Sequence, residues 1–503
     1  MMSLEWGLVL TLSVVAWRAE AADGAGSHKA GDVVMETGTA TTDTGESVPY
    51  ELGTLYVPEN RTVPGSRLIG VGFARIRAAR PTGGPPIFVL PGGPGLSVLD
   101  TLTEKDAASQ RLLSVWAEYR TAGDLVVVDQ RGYSPRGDVL EFTRAPQPLE
   151  RPGSLSADAA DLVKQAQAAV AAHPDKDLSG YTIVQCAEDV NDLRKALGYG
   201  QMTLLGGSFG SQWGFAVMRL HPETVKRALL TDVEPLDAGY DMPSHVFSAL
   251  QRIAWDADKD PRLAPYLPKG GVMEALRAVR ERFAKGPLRV TVKDAKGGRA
   301  STVTLGLEDF QDALLRPAAA WPAFVLSVYH RQPDDWAREV IQQRTHPEPW
   351  PLIAPLIDTS LGVSAGREHL LRTDSGIDWL GMGGFHPYLA SASAWPTPDL
   401  GDAFRLPVAN PTPVLFVHGD WDTSTPFENL ADVLPYFPNS RTVRIHRGTH
   451  GDRRKPREQQ PALWAGLIEF LKSGDTQGLP AHVELRVPEF QLPSFPAPTR
   501  PAP

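Results

Sequence analysis

Short, almost uninterrupted apolar runs recur along this chain, and they restrict its fold more than any other feature. Ile87 to Leu90 (IFVL), Leu125 to Val128 (LVVV), Met202 to Leu205 (MTLL), Ala228 to Leu230 (ALL) and Val414 to Val417 (VLFV) are each too short for a buried helix. Longer amphipathic stretches separate them. In residues 183 to 197, Ile183, Ala187, Val190, Leu193 and Leu197 fall on one helical face. Apolar strands alternating with helices are what a parallel sheet covered on both faces requires, because neither side of such a strand meets water. The expected class is therefore α/β. In an open parallel sheet functional groups gather beyond the carboxyl ends of the strands. Here those ends hold Gly92-Gly93, Asp129, Ser208, Asp232 and Asp422.

Upstream, ELGTLYVPEN and RLIGVGFARIRA read as two strands joined by a turn at Pro64-Gly65. Val414 to Val417 and RTVRIH (441 to 446) close the sheet. Between about Pro235 and Trp395 helical patterns dominate, interrupted by the hairpin-like LRVTVKDAKGGRASTVTL with its turn at Gly297-Gly298. This stretch reads as an insertion covering the sheet edge. The expected organisation is a signal peptide at 1–21, a flexible leader at 22–47, a core in two parts at 48–235 and 396–472 around a cap at 236–395, and a proline-rich tail at 473–503. A length of 503 residues accommodates such a domain with its insertion.

The formal net charge of −9, without a basic stripe, argues against nucleic-acid binding. A single cysteine, Cys186, excludes an intrachain disulfide and a cysteine-rich metal site, and its place on a helical face marks it as a small buried residue. Residues 6 to 17 form an apolar run too short to span a bilayer, followed by Ala19-Glu20-Ala21, a small-x-small pattern of the kind cleaved on export. Glu5 stands where a basic residue is usual. Export is the expected location, and no other segment is long and apolar enough for a membrane span.

Two G-x-S-x-G copies occur, around Ser208 and Ser364. Ser208 follows an apolar strand and precedes a helix-forming stretch, the strand–turn–helix setting of a nucleophile elbow. Ser364 follows PLIAPLIDTSL, with two prolines and no clean strand. Ser208 is the expected nucleophile. A serine needs a base and an orienting acid, which on such a sheet come later in the chain, acid first. VLFVHGDWDTSTP offers Asp420 and Asp422, and RTVRIHRGTHGD offers His446 and His450. His450, in a Gly-Thr-His-Gly loop, has freedom that His446 within its strand lacks; His418 reads as structural. Two backbone N–H groups must meet the developing oxyanion. Phe209, after the nucleophile, and Gly93, in PGGPG, are the expected donors.

Taken in order, PGGPG, VVVDQRG, GGSFG, DTSTP and GTHG resemble the α/β-hydrolase serine peptidases of the proline iminopeptidase and tripeptidyl aminopeptidase group, over about residues 48 to 472. The resemblance implies an α/β-hydrolase fold with a mainly helical cap and a serine aminopeptidase working through an acyl-enzyme. It maps the nucleophile to Ser208, the acid to Asp422 and the base to His450, and implies no metal or organic cofactor. There are departures. Pro91 replaces the group's usual histidine before Gly-Gly-Pro-Gly, Tyr133 and Ser134 stand where glycine is common, and WDADKDPRLA lies where cap cysteines are often found. An aminopeptidase also needs an anion for the substrate ammonium, for which Asp232 and Glu234 are candidates. An esterase or lactonase with the same triad, and a non-catalytic binding protein of this fold, are the alternatives. Substrate length preference and oligomeric state are not legible in the sequence.

Overall fold

The computed structural model describes residues 28–293, 298–382 and 385–498; the expected signal segment at 1–21 lies outside them. Ten strands form one sheet: β1 (Val33–Thr41), β2 (Ser47–Pro58), β3 (Leu68–Ile76), β4 (Ile87–Leu90), β5 (Leu125–Val128), β6 (Met202–Ser208), β7 (Val225–Val233), β8 (Val414–Gly419), β9 (Ser440–His446) and β10 (His482–Glu484). Their order is β1-β2-β3-β5-β4-β6-β7-β8-β9-β10. The first three strands and the β3–β5 pair are antiparallel, and every later pairing is parallel. The chain thus crosses over at β4, and the ends of β4 and β6 lie side by side.

Both faces of the parallel part are dry, as its apolar runs demand. Helices α1 (Ala107–Tyr119), α2 (Ile183–Ala196), α3 (Phe209–Leu220) and α4 (Pro461–Ser473) flank the sheet. Val126 and Val128 share one core with residues of α2 and α3, whereas Leu125 and Val127 share the other with residues of α1 and α4. Successive strand side chains point to opposite faces, so a single LVVV run feeds two cores. Cys186 lies buried on α2, and burial pushes its thiol up to about 12. Between strands, Arg131 is fully buried against Asp189 at 2.6 Å and donates to the Glu59 and Gly180 carbonyls. Removing Asp189, which Arg61 also contacts at 2.7 Å, would leave the buried guanidinium uncompensated.

The leader expected at 22–47 is corrected over 33–41, where the chain is strand β1. It pairs with β2 from Val33 opposite Leu55 to Thr41 opposite Ser47. Asp43-Thr44-Gly45 makes the turn, with Gly45 at φ +84°. A composition rich in Thr and Gly concealed a partner supplied only by the next segment. Within the described part of the tail, β10 joins the far edge beside β9, and Leu485 and Phe490 are buried.

The helical insertion includes helices Pro243–Ala257, Gly271–Phe283, Trp321–Tyr329, Asp334–Thr345 and Ile353–Leu361, and a hairpin of Leu288–Lys293 with Ala300–Leu305. Residues 294–297, and with them Gly297 of the expected turn, are outside the described residues. The insertion has its own core, centred on residues such as Leu276, Phe310, Trp321 and Trp336. A second excursion joins it: Glu141–Thr143 pairs with Pro349–Pro351, and helix Leu155–Ala171 packs on His386–Ser391. No described helix is long and apolar enough to cross a membrane.

Candidate functional site

Ser208 ends β6 and is the residue from which α3 departs, with φ +57° and ψ −136°. That left-handed backbone is costly for a side chain bearing a β-carbon, about 1–3 kcal/mol, and persists because the surroundings enforce it. The flanking glycines show how. A β-carbon on Gly206 would stand 2.2 Å from the Gly210 carbonyl oxygen, and one on Gly210 would stand 2.0 Å from that of Leu90. Strand and helix approach so closely that only glycine fits on either side of the serine.

His450, four residues past β9, reaches this turn. Its Nε2 lies 3.0 Å from Ser208 Oγ, and its Nδ1 lies 3.0 and 3.1 Å from the two Asp422 carboxylate oxygens. A carboxylate only accepts, so Nδ1 carries the proton and Nε2 accepts from the serine hydroxyl. Asp422 is fully buried and also accepts from the Ser424 and Thr425 amides at 2.9 and 2.8 Å and from Thr425 Oγ at 2.8 Å. Burial alone would raise its pKa, but the His450 and His418 rings and their hydrogen bonds hold it well below the usual carboxylate range. His418 is buried behind this loop. The Val233 amide donates to its Nδ1, so its Nε2 donates to the Thr425 carbonyl at 2.7 Å.

The PGGPG loop leaves β4 next to the serine: a β-carbon on Gly92 would lie 3.5 Å from Ser208 Cβ and 3.8 Å from its Oγ. Phe209 is the first residue of α3, where a helix cannot satisfy its own N–H groups. The loop is roofed by the insertion, since a β-carbon on Gly95 would collide with Pro351 and touch Ile353.

Acids crowd the same space. Atoms of Asp232, Asp422 and His450 all lie within 4.8 Å of one another. Asp232 is buried at the end of β7 with φ +47°, accepting from Thr231 Oγ at 2.9 Å. Glu234 follows. Burial, then the charges of Asp241 and Asp358, drive its pKa well above the usual value. Asp241 is pushed up to about 7 by burial, against the Asn429 amide that donates to it at 2.7 Å. Asp358, on helix Ile353–Leu361 of the insertion, is also pushed up to about 7 by burial. Beside it, the Tyr240 hydroxyl is buried without a hydrogen-bond partner among the described residues.

The structure therefore brings Ser208, His450, Asp422, Gly92-Gly93, Asp232 and Glu234 to one rim. The competing residues lie elsewhere. Ser364 caps helix Ala365–Thr373, accepting from the Arg367 amide and donating to Asp237. His446 pairs through Nδ1 with buried Asp420 at 2.9 Å. Sequence reasoning missed Asp241 and Asp358. Asp358 sits in PLIAPLIDTSL, whose apolar density at helical spacing could have marked a buried helix carrying one acid.

A family model described as the alpha/beta hydrolase fold matches residues 136–264, and the strand order, crossover and serine turn above are those of that fold. The chain is an α/β-hydrolase-fold protein. It resembles the tripeptidyl aminopeptidases of Streptomyces lividans and Streptomyces coelicolor, at 28% identity over 197 residues. These matches take in 37% of this chain and 35% of each relative, so about a third of the relatives' length is spanned. Among solved structures, VinJ aligns at 14% identity over 83% of this chain and 98% of its own, with a TM-score of 0.37. The esterase of Exiguobacterium antarcticum aligns at 17% identity over 80% and 96%, with a TM-score of 0.33.

Proposed function

We propose that this protein is a serine hydrolase that releases amino acids or short peptides from the free N-termini of peptides through an acyl-enzyme. The observation that carries this reading is the continuous hydrogen-bonded chain Ser208–His450–Asp422, with 3.0 Å at both links. In it, His450 Nε2 takes the serine proton as Oγ attacks the scissile carbonyl. Asp422 keeps the proton on Nδ1 and stabilises the imidazolium. The Phe209 and Gly93 amides meet the oxyanion, each worth roughly 10²–10³ in rate. His450 then hands the proton to the leaving amine and activates water, which releases the acyl group and restores the serine.

The aminopeptidase assignment is supported by the carboxyls beyond the serine. Glu234 lies in a poorly solvated space where the charges of Asp241 and Asp358 oppose its own. A substrate ammonium entering there relieves that repulsion, and a neutral blocked terminus does not. Asp232, the other candidate for the ammonium, lies against the His450–Asp422 pair, where its carboxylate supports the imidazolium. The partial resemblance to tripeptidyl aminopeptidases points the same way. The apolar run and Ala19-Glu20-Ala21 favour export, and sequencing the mature N-terminus should find Ala22 first.

Aminoacyl and tripeptidyl chromogenic amides, each with a free and an acetylated N-terminus, test the reading alongside fluorophosphonate labelling. Labelling at Ser208 with cleavage of free termini is expected. Labelling with cleavage of esters alone would make the protein an esterase, and no labelling would remove the mechanism.

A further inference from the structure

The loop beside Ser208 is held by one buried side chain. Gln130, the residue after Asp129 at the end of β5, is fully buried. Its Nε2 donates to the Gly92 carbonyl at 2.7 Å, and its Oε1 accepts from the Gly95 amide at 2.6 Å. One carboxamide thus spans the turn, using a donor and an acceptor at once. Its neighbour secures the next stretch, for Asp129 accepts from Ser97 Oγ at 2.8 Å.

The first of these bonds has a directional consequence. In a trans peptide the C=O and the following N–H point in opposite directions, and the cis bond of this loop is the next one, Gly93-Pro94. By drawing the Gly92 oxygen toward itself, Gln130 turns the Gly93 N–H to the other side of the loop. We propose that Gln130 is a positioning residue for the oxyanion hole, fixing the plane of the Gly92–Gly93 peptide so that the Gly93 amide is aimed at the developing oxyanion. The assignment rests on the serine-hydrolase reading. Gln130 touches no reacting atom and acts through the peptide it grips. A donor that must not reorganise as charge develops needs such a fixture, because its value comes from being aimed beforehand.

Two near-isosteric variants of the full chain test this. Gln130→Glu keeps an acceptor for the Gly95 amide but loses the donor to Gly92, and Gln130→Met keeps the volume and loses both bonds. Each should lower kcat about 10–100-fold with KM within about threefold, the pattern of a lost transition-state interaction. The affinity of a peptide aldehyde, whose serine adduct carries the oxyanion, should fall in parallel. The ratio of Gln130→Glu to wild-type activity should rise as pH is lowered, since a protonated glutamic acid can donate to the Gly92 carbonyl again. Wild-type kcat and aldehyde affinity in a folded Gln130→Glu protein would overturn the proposal. So would losses that only track the folded fraction in both variants, with no pH dependence of the ratio. If wild-type protein is not labelled by a fluorophosphonate at Ser208, the serine-hydrolase reading itself fails, whatever Gln130 does.

Discussion

Phe490 stacks on Trp421, ring centroids 6.2 Å apart and planes 29° from parallel, and this contact ties the C-terminal segment to the residue preceding Asp422. The same segment reaches the insertion: Gln491 donates its amide to the Ala319 carbonyl, and Tyr266 Oη donates to that of Phe495. Phe490→Ala removes a ring that is 1% exposed and should cost about 3–5 kcal/mol of stability. Thermal unfolding would register the loss, and an unchanged melting temperature would show that the strap carries little load.

Ser208→Ala should reduce turnover by about 10⁶, as removal of a nucleophile does in serine-protease triads. Asp422→Asn should cost about 10⁴ by favouring the wrong histidine tautomer. Because Asp232 also lies against His450, the double variant Asp422→Asn/Asp232→Asn should be slower than Asp422→Asn alone. Steady-state kinetics on one peptide substrate compares all three, and near-normal Ser208→Ala activity would remove the mechanism.

Asp358→Asn should raise KM for free-N-terminal peptides about 10-fold or more, the scale expected for a lost charged contact, and leave blocked esters unaffected. A companion pH effect follows from Asp241 and Asp358, both pushed up to about 7. As pH rises toward 7 these carboxyls ionise and attract the ammonium, so KM should fall between pH 6 and 7, below the pH of about 7.7–8.0 at which the peptide's own ammonium is lost. A KM that rises over that interval would remove the acids from substrate binding.

Asp129 is buried between Ser97 and Ser134, and burial pushes its pKa to about 8. The folded protein therefore keeps a proton that the unfolded chain releases near pH 4. That contribution to stability is complete below about pH 4, declines as pH rises, and is gone above about pH 8. Asp129→Asn, which stays uncharged at every pH, should melt above wild type by a margin that grows from pH 5 to pH 8. Melting curves at the two pH values decide it.

The parallel sheet, the serine turn and the histidine loop were legible in the sequence because each follows from local rules: an apolar run between helices, glycines that alone fit a close approach, an acid and a histidine after successive strands. What was not legible depends on distant partners. Val33–Thr41 looked like loose leader until its neighbour supplied a ladder of hydrogen bonds. Asp358 looked like one acid in a proline-interrupted stretch, and becomes informative only when its helix is laid over Glu234 and Asp241. Gln130 was visible in DQRG, yet nothing local says that its carboxamide bridges Gly92 and Gly95.

The carboxyls beside the serine come from two separate stretches of chain, Glu234 and Asp241 from the segment leaving β7 and Asp358 from the roof. On the proposed reading, recognition of the chain end is therefore divided between the wall that carries the serine and the roof laid over it. Exchanging the roof would then remove one of the three acids and leave the cutting tool intact, so selectivity for the chain end is adjustable here without rebuilding the triad.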